Sequence, residues 1–363
     1  MDNEKSYWLA FNAFFLIGPK KFALLLKYFG SAKIAWEVPD KEIREINLGT
    51  KTTEKFLLFR KTFDIGKYLQ KIEKEGITVL TLNDKDYPKL LKEIADPPPV
   101  LYVKSNISLD NLFLRPAIAV VGTRNISSYG RVVTQKITQG LVDRRITIVS
   151  GLARGIDVCS HKTAIEAGGL TLAVLGSGID QIYPAEHLRI AEEITQHGAL
   201  VSEFPLDMRA YPGNFPIRNR IISGLSLGVV VTEAAEKSGT MITASYAADQ
   251  GREVFAVPGP ITSPLSAGTS ALLKKGAKLV TKVEDILEEL PSMKGSDPRI
   301  QGSDPNITEE EKKILEILAK GPLSLDELVR ISGSPASKIL SLVTLMELKG
   351  VLKKIGNVIY GNL

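Results

Sequence analysis

At 363 residues the chain exceeds one ordinary domain and suits two or three. Its composition, 44% hydrophobic and 24% charged, is that of a soluble globular protein, with no apolar run long enough for a membrane span and no cleavable signal pattern. A single cysteine, Cys159, excludes an internal disulfide and fits a reducing cytosol, and only three histidines accompany it, which argues against a transition-metal site. The net charge is +5, but residues 81–290 balance 22 basic against 22 acidic side chains while holding 11 of the 15 arginines. Such a segment binds nucleic acid only if its cations cluster locally.

Residues 1–75 read as short helices. Leu16-Ile17-Gly18-Pro19 precedes an apolar-periodic stretch ending at Gly30-Ser31, and Asn47-Leu48-Gly49-Thr50 precedes a second one. A tight glycine turn feeding a helix is either one half of a helix-hairpin-helix, whose N–H groups hold a phosphate, or plain helix punctuation. Short strands follow near 79–82 and 100–103. From Pro116 apolar runs recur at 117–121, 146–149, 171–175, 200–204, 228–232, 254–257 and 278–280. Helical patterns separate them at 130–143, 156–167, 187–196, 220–225, 241–250, 267–275 and 283–290. This alternation predicts an α/β fold with a doubly wound parallel, Rossmann-like sheet over 76–290. Residues 291–306 read as a flexible linker with a duplicated Gly-Ser-Asp-Pro. Residues 307–363 read as three helices and a hairpin, a winged helix in outline.

Three glycine-bearing turns each follow a strand run and open a helix. They are Gly122-Thr123-Arg124, Ser150-Gly151-Leu152-Ala153-Arg154-Gly155 and Ser238-Gly239-Thr240. In a parallel sheet these turns share one edge, so helix-start N–H groups and two arginines would converge on repeated phosphates. Ser150 to Gly155 reads as a phosphate nest under Arg154, although Arg154 could equally pair with Asp157. Ser238 or Thr240 could also serve simply as an N-cap. Phe215-Pro216-Ile217-Arg218-Asn219-Arg220 adds one stacking surface and two cations, the pairing that single-strand binders need. Arg220 alternatively begins a helix as a structural residue. Gly176-Ser177-Gly178 lacks the third glycine of a dinucleotide fingerprint, so no cofactor is expected. His161 and Asp157, four apart on a helix, predict a structural hydrogen bond, and Cys159 a small buried hydrophobe.

Together these motifs resemble the bacterial DprA/Smf family of DNA-processing proteins. The match rests on Val121-Gly122-Thr123-Arg124, Ser150 to Asp157, Tyr183-Pro184, Phe215 to Ile222, Ser238-Gly239-Thr240 and Pro258-Gly259. The resemblance implies a cytoplasmic homodimer that binds single-stranded DNA and hands it to the recombinase RecA, without established catalytic activity. Single-strand-binding protein is a further expected partner. A competing expectation is a nucleotide-processing hydrolase of the lysine-decarboxylase-like type, with Glu233 or Glu203 as general acid or base. The expected recognition helix, 334–348, offers Lys338 and hydroxyls alone, which leaves both a DNA and a protein contact open.

Overall fold

The computed structural model describes residues 3–290, 308–318, 321–348, 352–355 and 358–361. The linker expected over 291–306 lies outside the described residues, as do Gly356 and Asn357 of the expected hairpin tip. Residues 1–290 form one compact unit and the chain beyond forms another.

Six helices open the chain: α1 (Asn3–Ala13), α2 (Pro19–Phe29), α3 (Ala32–Glu37), α4 (Asp40–Glu45), α5 (Thr50–Thr62) and α6 (Ile65–Lys74). Aromatic rings fill their core, with Phe11 stacked 5.2 Å from Phe56 and meeting Trp36 edge-on at 5.1 Å. Gly18 and Gly49 stand at helix starts, the first ahead of a proline at the start of α2 and the second with φ 87° ahead of α5. Beside the Gly49 turn Arg44 is paired with Glu54.

The helical layer is joined to the sheet by buried polar contacts. Tyr68 and Tyr102 share a hydrogen bond of 2.9 Å, Tyr102 donates to Asn12 at 2.8 Å, and Asn12 donates to the Glu203 carbonyl at 3.1 Å. Burial holds both phenols neutral, pushing Tyr68 to about 12 and Tyr102 well above its usual value.

The strands are β1 (Thr78–Thr81), β2 (Val100–Lys104), β3 (Ala117–Val121), β4 (Thr147–Ser150), β5 (Thr171–Val174), β6 (Gly198–Ser202), β7 (Gly228–Val231), β8 (Glu253–Ala256) and β9 (Lys278–Leu279). Their order is β1-β2-β6-β5-β4-β3-β7-β8-β9. From β3 to β9 every pairing is parallel, as the apolar runs predict, while β1 and β2 extend the β6 edge antiparallel. The chain leaves β3 toward β4 on one side and returns through β7 on the other. The C-terminal ends of β3 and β7 therefore flank a topological switch point, where open α/β sheets bind ligands.

Helices α7 (Lys89–Lys92) and α8 (Leu109–Phe113) flank β2; α9 (Ser128–Val142), α10 (Ile156–Glu166), α11 (Leu188–Gln196), α12 (Asn214–Gly224), α13 (Gly239–Asp249), α14 (Ala267–Lys274) and α15 (Glu284–Leu287) follow in order. The expected helix 220–225 is corrected here, because α12 starts six residues earlier, at Asn214. Pro216 stands in its first turn, where the missing N–H has no partner to lose, so the proline does not break the helix.

Cys159 is buried as expected. His161 is buried too, but it bonds Thr171 at 2.6 Å rather than Asp157, and desolvation pulls its pKa down to about 3. Among the described residues no helix is long and apolar enough to cross a membrane.

The second unit contains helices Glu309–Leu318, Leu325–Ser332 and Ala336–Leu348 with strands β10 (Leu323–Ser324), β11 (Leu352–Ile355) and β12 (Val358–Gly361), ordered β10-β12-β11. Ser324 and Glu327 form a reciprocal capping box on its middle helix. Ile314, Leu328, Ile339, Met346 and Ile359 supply its core.

Candidate nucleic-acid interface

The three glycine turns stand side by side, because β4, β3 and β7 are neighbours in the sheet. They are also bonded to one another. Thr123 N–H donates to the Glu233 carbonyl at 2.8 Å, and Ile156 N–H donates to the Thr123 carbonyl at 3.1 Å. Thr240 donates its hydroxyl to the Gly122 carbonyl at 2.9 Å, and Asn219 donates to the Gly239 carbonyl at 3.3 Å. Gly155 sits at φ 78°, and a Cβ there would overlap the Thr123 carbonyl, so only glycine lets the first two turns touch.

Arg124 and Phe215 form the exposed centre of this rim. The Arg124 guanidinium is exposed and lies 5.5 Å from the centroid of the half-buried Phe215 ring. That ring rests on Gly176, where a Cβ would come within 2.8 Å of it. Tyr183, 50% exposed, stands beside it with ring centroids 5.6 Å apart. Tyr183 carried only a family resemblance in the sequence; its place next to Phe215 depends on a loop that no periodicity reports.

Two arginines predicted to touch DNA are corrected to buried roles. Phe215, Arg218 and Asn219 are spaced i, i+3 and i+4 and share a face of α12, whereas Arg220 falls on another. Arg218 is 4% exposed, donates to the carbonyls of Gly151 at 2.7 Å and of Val174, and bonds Asn219 at 3.1 Å. Strand ends leave such carbonyls without ladder partners, and a guanidinium between β4 and β5 satisfies both. Burial pulls its pKa down to about 10, so it remains charged, 5.9 Å from the Phe215 centroid. Arg220 is 2% exposed and gripped by Glu203 at 2.5 and 2.7 Å, with Asp96 at 3.2 Å.

Two N–H groups of the expected phosphate nest at Ser150 to Gly155 are already taken within the chain. The Asp157 carboxylate accepts from Gly151 at 3.2 Å and Ala153 at 3.4 Å, while the Ser150 hydroxyl donates to the Val120 carbonyl at 2.7 Å. Desolvation raises the Asp157 pKa against the nearby positive charge of Arg218. Arg154 is exposed but pairs with Glu186, not with Asp157. At the third turn Ser238 caps no N–H of α13 and Gly239 is open to solvent, leaving the start of that helix accessible.

The carboxylates of the hydrolase expectation are both committed elsewhere. Glu233 accepts from the Ser127 hydroxyl at 2.5 Å and the Ser127 N–H at 3.1 Å, at the start of α9. Glu203 holds Arg220. Neither is presented to a ligand at the rim.

Residues 78–291 match the sequence profile of DNA recombination-mediator protein A. The chain belongs to this family. Residues 300–355 match the winged-helix domain of the same proteins. The DNA processing protein DprA of Bacillus subtilis is 44% identical over 227 residues, covering 62% of this chain and 76% of that protein. The crystal structure of DprA from Streptococcus pneumoniae superposes with a TM-score of 0.69 at 36% identity, over 80% of this chain and 98% of that one. DprA from Helicobacter pylori, described for its single-stranded DNA binding mode, superposes with a TM-score of 0.53 at 28% identity, over 60% and 96% respectively.

Proposed function

We propose that the rim of β3, β4 and β7 captures single-stranded DNA without regard to sequence, and that the chain delivers the strand to the RecA recombinase during DNA uptake and recombination. One observation carries this reading: an exposed guanidinium stacked on a partly open aromatic ring at the switch point. Every base has a π-face and every phosphate a charge, so the pair suits any unpaired strand and excludes stacked duplex. Thr123, Tyr183 and the open start of α13 at Ser238-Gly239 would line the same path, with Arg154 at its flank. Single-stranded DNA binding by the related Helicobacter pylori protein agrees with this assignment. Homodimerisation, single-strand-binding protein as a partner and a cytoplasmic location belong to the same proposal. No catalytic step is proposed.

The second unit supports placing the strand on the rim. Lys338 of its expected recognition helix is paired with Glu310 at 2.5 Å, and the hydroxyls of Ser341 and Thr344 return to carbonyls of their own helix. Leu340 and Leu345 are half exposed on that helix, which suits a protein contact better than base edges.

The test compares oligo-dT with a duplex of equal length at two salt concentrations, for the full chain and for residues 1–290. Single-strand preference should persist in the truncated protein, with log affinity falling by roughly 0.7 per log unit of salt for each phosphate neutralised. Duplex preference, or loss of binding on truncation, would contradict the proposal.

A further inference from the structure

We infer that Glu186 is an intramolecular stand-in for a DNA phosphate, holding Arg154 until a polynucleotide displaces it. This rests on the single-strand reading of the rim and deepens it, because it says which anions the rim accepts. The Arg154 fork meets the two carboxylate oxygens of Glu186 in parallel, Nε to Oε1 at 2.6 Å and Nη2 to Oε2 at 2.8 Å. That is the geometry guanidinium adopts on a phosphate. The carboxylate is also held in register with Arg154. Glu186 lies in the single turn Ala185–His187, and the ring Nδ1 of His187 contacts the Leu152 carbonyl at 2.9 Å, in the same loop as Arg154. Two residues before that turn stands Tyr183, beside Phe215.

Both partners are more than half exposed, 60% for Arg154 and 54% for Glu186. Exposed ion pairs are weak, so exchanging Glu186 for a phosphate lowers affinity by at most about fivefold. Asp157 differs, because it is buried in its nest and bonded to two backbone N–H groups. A lone phosphate or mononucleotide would gain Arg154 only by undoing an equivalent contact. A strand that also engages Arg124 and Phe215 recovers that loss, so the pair favours polynucleotides over their monomers.

The test is oligo-dT titration of the full chain as wild type, Glu186→Gln, Arg154→Ala, the double variant and Glu192→Gln, with thermal melting to confirm the fold. Glu192 is exposed on the following helix and controls for the loss of one negative charge. Glu186→Gln should bind about two- to fivefold tighter, and this gain should vanish in the Arg154→Ala background. Glu192→Gln should match wild type. An unchanged or weaker Glu186→Gln, a gain that survives without Arg154, or an equal gain from Glu192→Gln would each overturn the inference while leaving the single-strand reading in place. Failure of wild type itself to bind oligo-dT would overturn both.

Discussion

Glu203→Ala is expected to lower the unfolding free energy by about 3–5 kcal/mol, read as a reduced midpoint in urea denaturation. The variant leaves Arg220, 2% exposed, with its charge buried and Asp96 at 3.2 Å and the Ile217 carbonyl at 3.0 Å in partial compensation. Removing one partner of a buried pair costs far more than removing both, since the remaining ion has no water to return to. Glu203→Leu combined with Arg220→Met should therefore recover most of the loss. The folded fraction of every variant should still bind oligo-dT as wild type does, because this pair does not reach the rim. A stability loss below about 1 kcal/mol would contradict the buried-pair assignment, and a selective loss of DNA binding would restore Arg220 to the interface.

Phe215→Ala is expected to weaken oligo-dT binding by about 1–3 kcal/mol, roughly 5- to 150-fold, if a base stacks on the ring. Phe215→Leu separates stacking from packing, because leucine still covers Gly176 but offers no π-face. It should lose nearly as much affinity as the alanine variant while keeping more stability. Arg124→Ala should weaken binding about tenfold or more through a lost charge-assisted contact. The two effects should fall short of additivity in the double variant, since the guanidinium is 5.5 Å from the same ring centroid. Additive losses would mean that the two residues serve separate parts of the strand. An unchanged Phe215→Leu would place base stacking elsewhere.

The sheet was legible because its central strands, β3 to β7, are buried on both faces and read as continuous apolar runs, which fixes their class and order of appearance in the chain. Parallel topology put the three turns on one edge of the sheet, but the strand order that makes them neighbours and the segment after β6 that brings Phe215 beside Arg124 leave no trace in the periodicity. The side-chain assignments fared unevenly, for local reasons. Pro216 looks like a helix boundary in sequence but is tolerated in the first turn of α12, and that shift of six residues decides which arginines face the rim. Arg218 and Arg220 stand two apart in a charged-looking motif, yet both are buried, one on strand-end carbonyls and one on Glu203. Glycine spacing at 150–155 suggested a phosphate nest, but a carboxylate two residues past the turn takes two of its N–H groups. Glu186 carried no signal, since its partner Arg154 lies thirty-two positions away and no periodicity links them.

On the function proposed above, an unpaired strand lies across the C-terminal ends of β3, β4 and β7. Photocrosslinking with iodouracil-substituted oligo-dT, mapped by mass spectrometry of the full chain, tests it most directly. Adducts should form at Phe215 and Tyr183 and should be suppressed by unlabelled oligo-dT. Adducts confined to residues 1–75 or to the chain beyond 290, with none at 122–125, 183 or 215, would contradict it.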